Sequence, residues 1–589
     1  MNVYVNGYAN VALSAFYAPT RMNKTNHHVR LAAAALIAVT IAAYANSFSG
    51  AFLFDDTYVI LGNPSIAKLW PVWEALAAPK RSPVRDRPVV NYTLALSYAL
   101  GGLKPGAYHA GNLFIHLGCA LLLFGVLRRT FARPLCPSPV RAASGILAFA
   151  AALLWAIHPL QTESVTYITQ RCESLMGLFY LGAIYCLIRS VSSPRAPSWQ
   201  TAAVVSCALG VGCKASMVTA PVVAALYDRV FLASSWKEIR KKRWKMYAGL
   251  CASWLILAYL LAVTPYEDIK TYTPLAYALS QPRAIVHYLR LVFFPHPLCL
   301  DYGWKASATA GEIVPSALII LALLGATVWA SARRPALGFA LSAFFLLLAP
   351  TSSLMPLEDI LFEHRMYLPL APLLALLIIG VYLLLRRLVP SRGPRRIFGA
   401  FLVCVPVVLL AVSTLLRNAD YASPVGMWEK VLALRPDNYR ARMHLGNALL
   451  KEGNPVGAIA AYRASLVSKP DYYPSFYNLA NVLSGLGRTK EAEENYRQAL
   501  AIEPKAVEVL NNLGALLAGT NRAEEAMACF SRVLEIDPRD AAAAFNLGVL
   551  LIQRGRYREA RPWVERALEL RPDYGPARQA LEMIERKKE

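Results

Sequence analysis

Asp55 and Asp56 follow directly on an apolar stretch in FDDTYVILGNP. A carboxylate within hydrogen-bond reach of a hydroxyl can remove its proton as the oxygen attacks, so either acid is a candidate general base. Other ionisable residues stand beside apolar runs in the same way: Arg87 in RDRPVVNY, His158 and Glu163 in HPLQTES, Arg171 and Glu173 in TQRCES, Lys214 between two apolar runs, and His364 and Arg365 in FEHRMYLPL. Cations beside a phosphate stabilise its departure as a dianion, and Arg171, Lys214, His364 and Arg365 are the candidates for that task. Arg87, His158, Glu163 and Glu173 complete the polar set. Each has a plainer reading: His158 caps a helix ahead of Pro159, Lys214 snorkels, Arg365 pairs with Glu363 or Glu358, and the aspartates begin a solvated loop. Two adjacent carboxylates could bind a divalent cation, but a metal site needs more ligands than these, so none is assigned.

What must position these residues is a membrane domain. The chain of 589 residues is 56% hydrophobic and 17% charged, well above the apolar share of soluble domains. Eleven apolar runs alternate with short polar loops: 31–49, 107–127, 143–158, 172–189, 199–213, 215–232, 247–264, 312–331, 336–350, 366–385 and 397–416. Most approach the roughly 20 residues that cross hydrocarbon; 88–100 and 283–295 read as interfacial or re-entrant helices. The net charge of +24 suggests nucleic acid only if a basic face or nucleic-acid fold accompanies it, and neither does. Instead the cations collect in alternate loops, in WKEIRKKRWK and RRLVPSRGPRR among others, with Arg21, Lys24 and Arg30 ahead of the first run. The positive-inside rule puts those loops in the cytoplasm, so residues 1–30 are a cytoplasmic segment and the acids lie outside. A bacterial inner membrane is the expected location. AYANSFSGA also offers a signal-peptide cleavage site, and Met22 opens a conventional basic start, which leaves residues 1–21 as a candidate misassigned extension. Ten scattered cysteines without a CxxC pair read as buried small hydrophobes.

The C-terminal part repeats. Pro436, Pro470, Pro504, Pro538 and Pro572 recur every 34 residues, in register with Gly446, Ala480, Gly514 and Gly548 and with Tyr462, Tyr496, Phe530 and Val564. This is the tetratricopeptide pattern, in which small residues let two antiparallel helices approach and large ones fill the space between. After a linker and partial repeat at 417–436 (MWEKVLALRP as a lone helix), four repeats span 437–572 and residues 573–589 cap them. An odd number of spans puts this solenoid outside the cytoplasm. Asn478, Asn512 and Asn546 recur on the first helices, where a ladder of amides can grip a peptide backbone without reading its sequence; His444 interrupts it in the first repeat.

No nucleotide sugar is expected outside the cytoplasm, so a glycosyl transfer there draws its sugar from a membrane lipid, and a polyprenyl phosphate fits the cations. In order, FDDTYVILGNP, RPVVNYTLALSYALGGLKPGAYHAGNLFIHL, HPLQTESVTYITQRCESL, YLRLVFFPHPLCLDYGW and EHRMYLPL, ahead of the repeats, resemble the transmembrane and tetratricopeptide-repeat O-mannosyltransferases and their bacterial relatives. The resemblance covers nearly the whole chain from about residue 31. It implies an all-α, GT-C type membrane glycosyltransferase fold, a polyprenyl monophosphate sugar donor, inverting transfer to protein Ser or Thr, and an acidic motif that falls on Asp55 and Asp56. Two stretches depart from the family: CKASMVTAP lacks an acid beside Lys214, and EHRMYLPL replaces ERLLYLPS. The expected function is transfer of a mannose-like hexose from the lipid donor to extracytoplasmic protein, with the repeats recruiting acceptor or partner. The alternatives are a non-catalytic tetratricopeptide scaffold in the membrane and a lipid-linked glycan ligase or polymerase.

Overall fold

The computed structural model describes residues 18–79, 82–264 and 272–587. The described residues form helices and connecting loops, and the chain divides into Met1–Met427 and Trp428–Glu589.

In the first unit the longer helices are α1 (Ala18–Ala43), α2 (Pro88–Gly101), α3 (Pro105–Phe131), α4 (Ser144–Ala156), α5 (Arg171–Ser192), α6 (Ala196–Val211), α7 (Ala220–Tyr227), α8 (Trp236–Val263), α9 (Pro274–Phe293), α10 (Ala310–Arg333), α11 (Pro335–Leu348), α12 (Leu370–Leu388), α13 (Arg392–Asp420) and α14 (Pro424–Leu434). Several begin on proline, whose missing N–H costs nothing in the first turn, and Thr309 with Glu312 closes a capping box on α10. Each of the eleven apolar runs is largely helical, but they differ as membrane crossings. Among the described residues eight helices are long and apolar enough to span, and a ninth arises if α4 and Pro159–Val165, bent by 55° to each other, count as one. The bend falls at Pro159, which cannot continue the hydrogen-bond ladder. The other two expected spans are the 16-residue α6 and the 14-residue α11, at about 1.5 Å per residue shorter than the hydrocarbon thickness.

Successive helices run between two ends of this bundle. At one end Arg129 lies 4.8 Å from the Tyr185 ring, Thr130 meets Tyr227 at 2.6 Å, and Arg243 grips Asp228 through two 2.7 Å bonds. The basic loops belong here. The opposite end collects the loops that carry the acids, with α9 lying across it: the Tyr277 hydroxyl donates to the Thr351 carbonyl at 2.6 Å and His158 Nε2 meets the Val292 carbonyl at 3.1 Å.

The second unit completes α14 and pairs helices as α15 (Tyr439–Lys451) with α16 (Pro455–Ser468), α17 (Tyr473–Gly485) with α18 (Thr489–Ile502), α19 (Val507–Gly519) with α20 (Ala523–Ile536), and α21 (Ala541–Gln553) with α22 (Tyr557–Leu570), followed by α23 (Gly575–Arg586). The small-to-large pairing has a direct steric cause. A Cβ on Gly446 would lie 2.4 Å from the Tyr462 ring, one on Gly514 2.9 Å from Phe530, and one on Gly548 2.7 Å from Val564.

Candidate active site

Five segments distant in sequence meet at the acid-bearing end. The loop after α1 brings Asp55 and Asp56; the bent segment after α4 brings Glu163, Tyr167 and Thr169; the first turn of α5 brings Arg171 and Glu173; the loop after α6 brings Lys214; and the turn before α12 brings Glu363, His364 and Arg365.

The two aspartates are not equivalent. Asp56 is 1% exposed; its Oδ1 accepts the Thr169 amide at 2.8 Å and hydroxyl at 2.5 Å, and its Oδ2 accepts the Leu53 amide at 3.0 Å. These bonds tie the loop after α1 to the start of α5. Burial still pushes the Asp56 carboxyl up to about 7 against those bonds. Phe54, just before, holds a positive φ of 48°, uncommon for an aromatic residue and a sign that the surrounding contacts fix this turn. Asp55 is only half-buried. Its backbone N–H donates to the Tyr167 hydroxyl at 3.0 Å. Burial pushes its carboxyl up to about 6, opposed first by a hydrogen bond from Tyr167 and then by the Arg87 cation.

The cations also divide. Arg171 is 1% exposed and its guanidinium is taken up by protein acceptors: Nε by Asn112 Oδ1 at 2.5 Å, Nη1 by the Thr93 carbonyl at 2.8 Å and Ser97 Oγ at 3.0 Å, and Nη2 by the Tyr108 carbonyl at 2.8 Å. It locks α2, α3 and α5 together. Arg365 is similarly committed, to the Tyr277 hydroxyl and the carbonyls of Thr351, Ile360 and Asp359 at 2.7–3.2 Å, and so shapes the loop between α11 and α12. Lys214 Nζ pairs with Glu173: the acid missing from CKASMVTAP arrives from the first turn of α5. Arg87 reaches Cys172 Sγ at 3.4 Å and lies 3.4 Å from Asp86. The side chains of Lys214 and Arg87 keep 13% and 19% exposure.

His158 is held as a cap, its Nδ1 accepting the Leu160 amide at 3.2 Å. Glu163 clasps His364, accepting from the backbone N–H at 2.9 Å and meeting Nδ1 at 2.7 Å. Burial and the nearby charges of Lys214, Arg365 and Arg87 hold the His364 imidazolium well below its usual range, with Glu173 opposing them. His364 is therefore a neutral ring at pH 7 and not the cation its sequence context suggests. Beside it Glu363 accepts from the Cys299 amide and the Tyr302 hydroxyl, both at 2.7 Å, while its Oε2 stands 4.0 Å from Arg417 Nη2 at the end of α13.

Sequence reasoning missed Tyr167, Thr169, Asn112, Glu363 as a holder of the loop, and Arg417. Tyr167 and Thr169 lie inside a quoted motif, but nothing marks them in one dimension. In the repeats, Asn478 Nδ2 donates to Asn447 Oδ1 at 3.2 Å and Asn512 Nδ2 to Asn481 Oδ1 at 2.8 Å, while Tyr462 and Tyr496 donate to those same oxygens at 2.7 and 2.6 Å. Two of the three expected ladder residues thus bridge neighbouring repeats through Asn447 and Asn481. Asn546 is half-buried, and His444 stacks on Trp428 at 4.8 Å.

Residues 82–262 match the family model described as dolichyl-phosphate-mannose-protein mannosyltransferase, and residues 409–473, 472–539 and 506–573 match tetratricopeptide repeat models. The first of these covers Arg87, Glu163, Arg171, Glu173 and Lys214. Protein O-mannosyl-transferase TMTC3 of Mus musculus is 24% identical over 470 residues, 71% of this chain and 49% of its own length. Protein O-mannosyl-transferase TMTC4 of Homo sapiens is 24% identical over 72% of this chain and 64% of its own. The chain thus spans about half to two thirds of the length of these curated relatives. Among solved structures, the crystal structure of MamA matches 26% of this chain at 21% identity and a TM-score of 0.24, too low to add to the architecture above. By sequence the chain is similar to the transmembrane and tetratricopeptide-repeat O-mannosyltransferases, with a stretch that matches a mannosyltransferase model ahead of tetratricopeptide repeats.

Proposed function

We propose that this protein transfers a hexose, mannose by analogy with its relatives, from a polyprenyl phosphate donor to Ser or Thr hydroxyls of proteins outside the cytoplasm, with inversion at the anomeric carbon. The observation that carries this reading is the split between the aspartates: Asp56 is consumed by three hydrogen bonds, whereas Asp55 is half-buried with its carboxyl near 6. A base of that strength is mostly ionised at neutral pH yet still takes a proton from an attacking hydroxyl. Lys214 and Arg87 are the cations with exposure left to meet the donor phosphate; Arg171 and Arg365 position the elements around it. As the acceptor oxygen bonds to the anomeric carbon, the bond to the phosphate oxygen breaks, the phosphate leaves as a dianion beside these cations, and the acceptor proton passes to Asp55.

Sidedness follows from the cationic loops, which all lie at the end opposite the acids, and the positive-inside rule then puts Asp55 outside. Counted as nine crossings, with α4 and its bent continuation as one, the spans are odd in number, and by the same rule the repeats face that side, where they recruit the acceptor polypeptide.

The test is mass spectrometry of extracytoplasmic proteins from cells lacking the chain, complemented with wild type or Asp55→Asn. Hexosylated Ser/Thr peptides that return with wild type and not with Asp55→Asn support the proposal. An unchanged glycopeptide set with an altered surface polysaccharide would replace it with the lipid-linked glycan ligase reading, and no change in either would leave the scaffold.

A further inference from the structure

The pairing of Glu163 with His364 is more than a structural clasp. Glu163 is 1% exposed and spends both oxygens on one residue, the backbone N–H at 2.9 Å and Nδ1 at 2.7 Å. Phe362 stacks on the ring at 5.1 Å with an interplanar angle of 25°. The imidazole is thus fixed in position, with Nδ1 turned to Glu163 and Nε2 away from it, while burial pushes the Glu163 carboxyl up to about 8 against the Arg417, Lys214 and Arg365 cations. His364 Nε2 makes no hydrogen bond within the described residues and is not among the polar atoms sealed from solvent.

The charged groups around it say what Nε2 is for. Lys214 and Arg87 act on the ring from two other segments and Arg365 from its own, and Glu173 offsets them only in part. Lys and Arg are donors only, and the carboxylates of Asp56, Glu163 and Glu173 are occupied by protein donors. The site is therefore rich in donors, as a phosphate requires, and short of acceptors. A cationic surround disfavours a positive charge on the ring, so His364 is a poor proton acceptor beside Asp55 and stays a neutral ring whose Nε2 is suited to a hydroxyl.

We propose that His364 Nε2 hydrogen-bonds a hydroxyl of the donor sugar, a group that both donates and accepts, and so determines which sugar is transferred. This rests on the glycosyl-transfer reading above and adds a recognition contact to it. A site built to bond a hydroxyl rejects the analogue that lacks it far more strongly than a pocket rejects a change in size.

The experiment uses the full-length protein in detergent, polyprenyl phosphate mannose and its four singly deoxygenated analogues, and a Ser/Thr peptide. In wild type, one deoxy donor is expected to lose roughly 10- to 100-fold in kcat/KM, the cost of one polar group left unpaired, while the others lose less. His364→Phe, which keeps the stack on Phe362, should lose a similar factor on the intact donor and show no further loss on that one analogue; His364→Gln, with an amide oxygen, should regain part of the discrimination. The KM for the peptide should not move. A flat deoxy profile in active wild type overturns the proposal without recourse to any variant. So does an equal fall for His364→Phe on every donor, or an effect confined to peptide KM. No transfer from any polyprenyl phosphate donor would instead remove the glycosyl-transfer reading itself, and this inference with it.

Discussion

Asp56→Ala should damage the fold far more than Asp55→Ala, although the two residues are neighbours of the same type. The Asp56 carboxylate accepts the Leu53 amide at 3.0 Å and the Thr169 amide and hydroxyl at 2.8 and 2.5 Å. Truncation leaves two buried amides without an acceptor, at about 1–3 kcal/mol each, and strands the threonine hydroxyl, for a total of about 3–6 kcal/mol. Against a typical domain stability of about 5–15 kcal/mol this is a large share. Asp56→Asn keeps the oxygen facing Thr169 but turns an NH2 toward the Leu53 N–H, so its cost is that of one mispaired group, about 1–3 kcal/mol. Asp55→Ala removes a half-buried carboxylate whose neighbour Tyr167 keeps the backbone N–H of residue 55, and should cost about 1 kcal/mol or less. Thermal inactivation of detergent-solubilised protein, followed by size-exclusion fluorescence, ranks the variants. The expected order of loss is Asp56→Ala, then Asp56→Asn, then Asp55→Ala. An Asp55→Ala protein less stable than Asp56→Ala would refute the division of labour at the pair.

Four further outcomes are expected. Transfer rate should rise with pH through about 6 as Asp55 ionises, and Arg87→Met, which removes a cation that lowers that carboxyl, should move the midpoint upward. Because the folded Asp55 value is raised above its ordinary 3.8, its contribution to stability is fully present below the ordinary value and is lost as pH rises through about 6; Asp55→Asn should flatten melting temperature across that window. Lys214→Met strands the Glu173 side chain at 5% exposure and should cost about 3–5 kcal/mol, most of which Lys214→Met with Glu173→Met should recover in thermal melts while transfer stays absent. Asn512→Ala, which removes a bridge to Asn481 at 2.8 Å, should raise KM several-fold for a protein acceptor and leave a short peptide unaffected; equal effects on both would remove the repeats from acceptor binding.

The solenoid was legible because its information is local and periodic: a glycine at 446 and a tyrosine at 462 face each other across one helical hairpin. The gathering of polar residues at one end of the bundle was legible too, since alternation of spans sorts loops by side without knowledge of packing. Individual roles were not. Arg171 and Lys214 read alike as cations at apolar boundaries, yet one is saturated by Asn112, Thr93, Ser97 and Tyr108 while the other has a single acidic partner and some exposure. That difference depends on acceptors contributed by α2 and α3, which no spacing rule connects to α5. The acid for Lys214 was sought next to it and comes from Glu173 on another helix. His364 read as a cation because sequence shows its basic neighbours but not the burial that, with those neighbours' charges, keeps the ring neutral, nor the Glu163 contact that holds it in place. The short α6 and α11 show the remaining limit: an apolar run fixes a helix more surely than it fixes a crossing.

The most direct measurement incubates purified full-length protein with radiolabelled polyprenyl phosphate mannose and a Ser/Thr peptide, and compares wild type with a folded Asp55→Asn variant. Label should appear in the peptide, in an O-linkage released by β-elimination, with wild type and fall at least 100-fold with Asp55→Asn, the lower end of the range that a single general base supplies, about 10²–10⁴-fold. Transfer that survives the substitution, or that proceeds from a nucleotide sugar and not from the lipid, would contradict a lipid-dependent transferase with Asp55 as its base.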